Sequence, residues 1–226
     1  MKKRIVIAID GPSSAGKGTV AKIVAQKLGF NYLDTGAMYR CVALTLKNNE
    51  VDINDDTKIS EILNNTKIKL SSDNNKSLKV ELNGKDVSNE IRTPEISRLS
   101  SDIATKKSVR SYLLKLQREF AQNSNIVAEG RDMGTQVFPD ADIKFFIDAS
   151  VEVRTNRRFL QLQQAGIKTD IHKLRIDIEN RDNQDKYREI APLHPAINAV
   201  IIDTTNLEID QVVDIILKKA KGVYDN

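Results

Sequence analysis

The segment Gly11-Pro12-Ser13-Ser14-Ala15-Gly16-Lys17-Gly18-Thr19 carries the strongest chemistry in the chain. Two glycines let the backbone close around a phosphate with its N–H groups pointing inward, and a following helix adds its positive N-terminal end. Lys17 reaches the β- and γ-phosphates of a nucleotide as a mobile point charge. In the strict pattern a Ser or Thr follows the Lys directly. Here Gly18 stands in that place and Thr19 comes next, so Thr19 is the hydroxyl assigned to a Mg²⁺ ion.

Four further segments place arginines beside short acids. Asp34-Thr35-Gly36-Ala37-Met38-Tyr39-Arg40 follows the apolar Tyr32-Leu33. Glu129-Gly130-Arg131-Asp132-Met133-Gly134-Thr135 follows Ile126-Val127-Ala128. Arg154, Arg157 and Arg158 fall on a predicted helix after Asp148, and Arg181-Asp182-Asn183-Gln184-Asp185-Lys186-Tyr187-Arg188 closes the set. A lone charged segment is usually a solvated face. Four beside a phosphate loop fit phosphoryl transfer, which needs cations to align donor and acceptor and to neutralise charge on the equatorial oxygens. That reaction needs no covalent nucleophile, and the chain offers little material for one. Its single cysteine, Cys41, forms no internal disulfide, and His172 and His194 do not make a His/Cys zinc site. No Asn-Lys-x-Asp segment is present, which weighs against a GTP-reading switch.

These residues need elements to position them. Ile5-Val6-Ile7-Ala8-Ile9 is a continuous apolar run, as in a strand buried on both faces of a parallel sheet. Val20, Ile23, Val24 and Leu28 then recur at helical spacing, with Gly29 where a C-cap belongs. The phosphate loop therefore lies between a strand and a helix, the context its chemistry requires. Residues 126–128, 143–147 and 199–202 repeat the strand signal. A last helix shows Ile209, Val212, Val213, Ile216, Leu217 and Ala220 on one stripe, with Lys218, Lys219 and Lys221 complementing its C-terminal dipole. Alternating strands and helices predict an α/β fold with a parallel sheet. Residues 68–91 break the rhythm: alternating Leu78, Val80 and Leu82, an Asp73-Asn74-Asn75 cluster and an Asn83-Gly84 turn predict short antiparallel strands in a small insertion.

The bulk numbers agree. A chain of 226 residues suits one domain with a small insertion. Its net charge of +4 and pI near 9.0 admit an anionic ligand but are far from a nucleic-acid footprint. Met1-Lys2-Lys3-Arg4 precedes an apolar run too short for a signal peptide, and no stretch approaches the ~20 apolar residues of a membrane span. A cytoplasmic protein is the default expectation.

The segments GPSSAGKGT, DTGAMYR, EGRDMGTQVFPDAD, RDNQDKYREIAPL and IIDTTNLEIDQV together resemble the bacterial cytidylate kinases, members of the nucleoside monophosphate kinase group. The likeness runs from about Ile5 into the C-terminal helix. GRDMGT combined with RD..D..R..APL is far more specific than the phosphate loop alone. The resemblance implies a P-loop kinase fold, a parallel sheet flanked by helices, with an inserted antiparallel-β acceptor domain at 37–102 and a short lid at about 153–166. The rest, 1–36 and 103–226, would be the core.

It also implies ATP with Mg²⁺ as donor, CMP and dCMP as acceptors entering between core and insertion, and a monomer without nucleic-acid or membrane partners. Ser101, Arg110 and Asp132 would read the cytosine, and Asp185 and Arg181 would hold the ribose side. Thr35 joins the acceptor set, Arg40, Arg131 and Arg188 would grip the acceptor phosphate, and Arg154, Arg157 and Arg158 would close over the donor. Lys17, Arg131, Arg154, Arg158 and Arg188 would be the catalytic cations. Three positions depart from the family pattern: Glu129 for a frequent Asp, Thr35 for a frequent Ser, and Val153 for a common acid.

Base chemistry supports the cytosine assignment separately: a carboxylate suits the N4 amino donor and Arg suits the N3 and O2 acceptors, whereas uracil would turn an oxygen toward Asp132. The rival readings are a kinase for UMP, dTMP or a small metabolite such as shikimate, and a switch protein that uses ATP for conformation alone.

Overall fold

A computed structural model of the chain describes residues 4–72 and 78–224. Met1 to Lys3 and the Asp73-Asn74-Asn75 cluster lie outside the described residues. The chain folds as two compact units, one of residues up to Tyr32 together with those from Ala121 onward, the other Leu33–Phe120.

In the first unit the apolar run forms β1 (Val6–Asp10), buried along its whole length. It pairs in parallel with β6 (Ile126–Gly130) on one side and β7 (Ile143–Asp148) on the other. β8 (Val200–Asp203) pairs in parallel with β7, and β2 (Asn31–Asp34) lies at the far edge beside β6. The sheet order is therefore β2-β6-β1-β7-β8. β1 is central, which is why its side chains are apolar on both faces.

Helix α1 (Lys17–Leu28) and helix α8 (Ile209–Tyr224) pack Val20, Val24, Val213 and Ile216 against Ile7, Ile9, Val127, Phe145 and Ile147. Gly29 ends α1 in a left-handed conformation that its missing Cβ permits. Of the apolar stripe expected on α8, Ile209 is the exception: it is 48% exposed in the opening turn, before the helix reaches the core. Helices α6 (Val151–Gln164) and α7 (Ile171–Tyr187) share a smaller cluster of Leu162, Leu174 and Ile178. Ser150 and Asp170 cap them by accepting from Val153 and Lys173 backbone N–H groups.

The second unit holds α2 (Thr35–Asn48), α3 (Asp56–Asn64), α4 (Pro94–Ile103) and α5 (Lys107–Phe120). Its antiparallel sheet is β3 (Ile68–Ser72), β4 (Leu78–Leu82) and β5 (Lys85–Asp86). The Asn83-Gly84 turn joins the last two with both residues at positive φ, 50° and 82°, the backbone that a tight hairpin asks for. Asp34 caps α2 through Ala37, and Thr93 caps α4 with Pro94 in its first turn.

Gly11 shows how closely the loop is built onto the sheet. Its φ is +148°, and a Cβ there would lie 1.9 Å from the carbonyl oxygen of Ile147 in β7. Gly166 also has positive φ, 72°, but opens on empty space. Gly11→Ala should therefore lose at least about 2 kcal/mol of stability in urea denaturation, against about 1 kcal/mol for Gly166→Ala. Equal midpoint shifts for the two would show that the loop yields at Gly11.

Candidate functional site

β1 ends at Asp10, and the chain turns into the loop 11–19 and then α1. Gly16 takes a left-handed N-cap conformation with φ 93°, and Ser14 is also at positive φ, 59°. Lys17 is only 4% exposed and donates to the Pro12 carbonyl at 2.6 Å, folding back over the loop that precedes it. The Ala15 carbonyl accepts from Thr204 Oγ1 at 3.3 Å, and the Ser13 carbonyl accepts from Arg154 Nη1 at 3.3 Å. Ser13 Oγ is buried with no hydrogen-bond partner. Gly18 faces Glu129 and Tyr32; a Cβ there would touch Glu129 Oε1 and Tyr32 Oη at 3.4 Å each. Thr19 is exposed on the first turn of α1.

Burial pulls the Lys17 pKa from the usual 10.5 down to about 7, and the Arg131 guanidinium adds to the effect. Glu129, Asp10 and Asp185 oppose it without restoring the ordinary value. A cation sits here in a place that only a further anion would make comfortable.

Around it the arginines are held by carboxylates. Asp185 Oδ2 accepts from Arg131 Nε at 2.7 Å, and its Oδ1 from Arg188 Nη1 at 3.3 Å. Burial raises the Asp185 pKa, but Arg131, Arg181 and Arg188 outweigh it and hold the carboxyl below its usual range. Arg188 also donates from Nε to the Ala191 carbonyl at 2.8 Å. Arg154, 4% exposed, has every edge engaged: Nε on the Ala149 carbonyl at 2.9 Å, Nη1 on Ser13, and Nη2 on Asp182 Oδ2 at 2.6 Å. Arg157 holds the Thr204 hydroxyl and carbonyl at 3.1 and 2.8 Å, and Arg158 donates to Gln161 at 2.7 Å. Asp132 is buried at the start of a single π-type turn, Met133–Val137. Lys17, Arg131, Asp185 and Arg188 are thus brought together, while Arg157 and Arg158 bond within α6 and to Thr204.

Among the acceptor-side residues of the second unit, Arg40 pairs with Asp34 at 3.4 Å and its Nε is buried without a hydrogen-bond partner. Thr35 is buried at the start of α2. Ser101 is buried in the last turn of α4, and Arg110, in the first turn of α5, reaches back to the Ala104 carbonyl at 3.1 Å. The Cys41 thiol is pushed up to about 12, chiefly by burial, which removes it as a nucleophile at neutral pH.

Two residues of this site are absent from the sequence reading. Asp10 is 2% exposed and accepts from the Met133 and Gly134 N–H groups at 2.7 and 2.8 Å. Thr204 joins the loop, β7 and α6. Asp10 had one signal, a carboxylate ending a wholly apolar strand; Thr204 had only its place in the IIDTTNLEIDQV segment, which gave it no role.

A family model described as cytidylate kinase matches residues 7–222. The chain belongs to the cytidylate kinase family. It is 48% identical over 220 residues to a cytidylate kinase of Lactobacillus gasseri, covering 96% of this chain and 95% of that one. A cytidylate kinase of Bacillus cereus is 44% identical over 224 residues, 99% of each chain. A solved structure of an uncharacterized protein from Eubacterium ventriosum shares the fold at TM-score 0.53, with 15% identity over 96% of this chain and 98% of that one. Among the described residues no helix is long and apolar enough to cross a membrane.

A bound phosphate chain should return Lys17 to its charged form. The free lysine titrates near 7 and the phosphate raises it, so binding above pH 7 takes up a proton and affinity falls as pH rises. Calorimetry of ADP binding at pH 8.5, in buffers of different ionisation enthalpy, should report uptake approaching about one proton. Lys17→Ala should abolish that uptake; equal enthalpies in all buffers for the unaltered chain would refute it.

Proposed function

We propose that this chain transfers the γ-phosphoryl group of ATP to CMP and dCMP, yielding ADP and the cytidine diphosphates. The observation that carries the reading is membership of the cytidylate kinase family across residues 7–222, joined to a buried lysine in a glycine-rich loop that awaits an anion. ATP would lay its phosphates along residues 11–19, with Lys17 on the β- and γ-phosphates. Arg131 and Arg188, already clasped by Asp185, would carry the acceptor phosphate, with Arg154 and Arg158 beside the donor.

Thr35, Arg40, Ser101 and Arg110 of the second unit and Asp132, Arg181 and Asp185 of the first would hold the rest of the acceptor. Asp132 would accept from the cytosine N4 amino group. Residues 37–102 would serve as the acceptor domain and 153–166 as the lid, which on closing would exclude water.

Among the described residues no cluster of His, Cys, Asp and Glu could hold a metal by itself. Hard oxygen donors do stand at the loop: the exposed Thr19 hydroxyl and the Glu129 carboxylate beside Gly18. They suit a Mg²⁺ ion that keeps most of its shell from phosphate oxygens and water. Thr19 and Glu129 would hold it, and it would supply positive charge against the charge that develops on the phosphates during transfer. One chain supplies every residue named, so a monomer would suffice, and a reaction on free nucleotides would fit the cytoplasm.

The test is ADP release with ATP and Mg²⁺ against CMP, dCMP, UMP, dTMP, AMP and GMP in turn. CMP and dCMP should turn over best, and Lys17→Ala should lower kcat at least about a hundredfold. Asp132→Ala should narrow the CMP-over-UMP preference by tenfold or more. Faster turnover with a different acceptor would contradict the cytosine assignment, and wild-type kcat in the Lys17 variant would contradict the loop's role.

A further inference from the structure

Asp10 belongs to neither set of residues that touch substrate in the proposed reaction, yet it is nine-tenths buried and fully engaged. It is the last residue of β1, in register with Gly130 of β6 and Phe146 of β7, and the next residue, Gly11, opens the phosphate loop. Its two carboxylate oxygens accept from successive backbone amides, Met133 N at 2.7 Å and Gly134 N at 2.8 Å. These are the first N–H groups of the Met133–Val137 turn, which have no partner inside the turn. Later amides are satisfied internally: Gln136 and Val137 donate to the Asp132 carbonyl, and Phe138 donates to that of Met133.

An Asp at an N-cap ordinarily uses its own carboxylate for this task. Asp132 holds the N-cap position of the turn but makes no side-chain cap bond. Asp10, from 123 residues away in sequence, caps the turn in its stead. The outer side of the turn is packed as well: a Cβ on Gly134 would meet Ala196 Cβ at 3.1 Å and Lys144 Cδ at 3.2 Å. The turn is therefore held from within by Asp10 and from without by Ala196 and Lys144.

We propose that Asp10 is a positioning residue for acceptor specificity: by capping the Met133–Val137 turn, it fixes where Asp132, the residue that opens the turn, stands relative to the base. This rests on the reading of Asp132 as the cytosine-recognising residue. It also ties the donor loop and the base-reading turn to one side chain at the end of one strand.

Asp10→Asn is the isosteric test. One oxygen can still accept, but the amide nitrogen would face the second N–H, so one cap is lost and two donors oppose each other. Against CMP and UMP, this variant should show a KM for CMP raised at least about tenfold and a CMP-over-UMP preference reduced by a similar factor. Gly134→Ala leaves Asp10 intact but pushes the turn from its seat, and should reduce the preference in the same direction. It also serves if Asp10→Asn does not fold.

Asp132→Ala, run alongside, separates the two ideas. If it abolishes the preference while Asp10→Asn and Gly134→Ala keep it, the positioning role is overturned. A loss of thermal stability in Asp10→Asn with wild-type preference would likewise reduce Asp10 to a structural cap. If Asp132→Ala leaves the preference unchanged, the base reading fails and the proposal fails with it.

Discussion

A lysine ammonium withdrawn from water favours its neutral form unless an anion stands close enough to replace the lost hydration. Lys17 has carboxylates near it, Asp10, Glu129 and Asp185, but the first two are engaged by backbone amides and Tyr32, and the third by Arg131 and Arg188. Burial and Arg131 win, and the lysine is left short of negative charge. The unfolded chain would keep this proton up to about 10.5 while the folded one releases it near 7. Folding is therefore opposed by this group most strongly below pH 7, and stability recovers between 7 and 10.5. That deficit is what a phosphate chain removes.

The rest of the first unit follows from delivering charge to this point. A parallel sheet brings the C-terminal ends of its strands to one edge, where ligands of α/β folds bind. Here those ends are Asp10, Gly130 with Arg131 after it, Asp148 and Asp203. The loop is bolted to its neighbours through its carbonyls, Ala15 to Thr204 and Ser13 to Arg154. Ala191 accepts the Arg188 Nε in a left-handed conformation, φ 51°, that costs a non-glycine residue roughly 1–2 kcal/mol. The arginine is fixed at the expense of local strain, as is common where geometry serves chemistry.

Local chemistry made the frame legible. A β-branched run, two glycines and a lysine announce strand, loop and helix because each of those elements has a residue-level cause within the same twenty positions. The Asn83-Gly84 hairpin was readable for the same reason. The caps at Asp10 and Thr204 were not, since a single carboxylate or hydroxyl carries no periodicity and its partners lie 123 and 189 residues away. Ile209 shows the converse limit: helical spacing placed it on the apolar stripe of α8, but the stripe meets the core only from Val212 onward. The resemblance named arginines by type, and the structure adds the partners: Asp34 for Arg40, Asp185 for Arg131 and Arg188, Asp182 for Arg154, and Thr204 for Arg157.

The state of Lys17 can be observed directly. Side-chain NMR of the ligand-free protein, with lysine labelled at Cε and followed from pH 5 to 11, should show one resonance titrating near 7, well below the exposed lysines, and absent from Lys17→Arg. A Lys17 midpoint near 10.5 would mean that the ammonium is hydrated or already paired, and would contradict a site built around a missing anion.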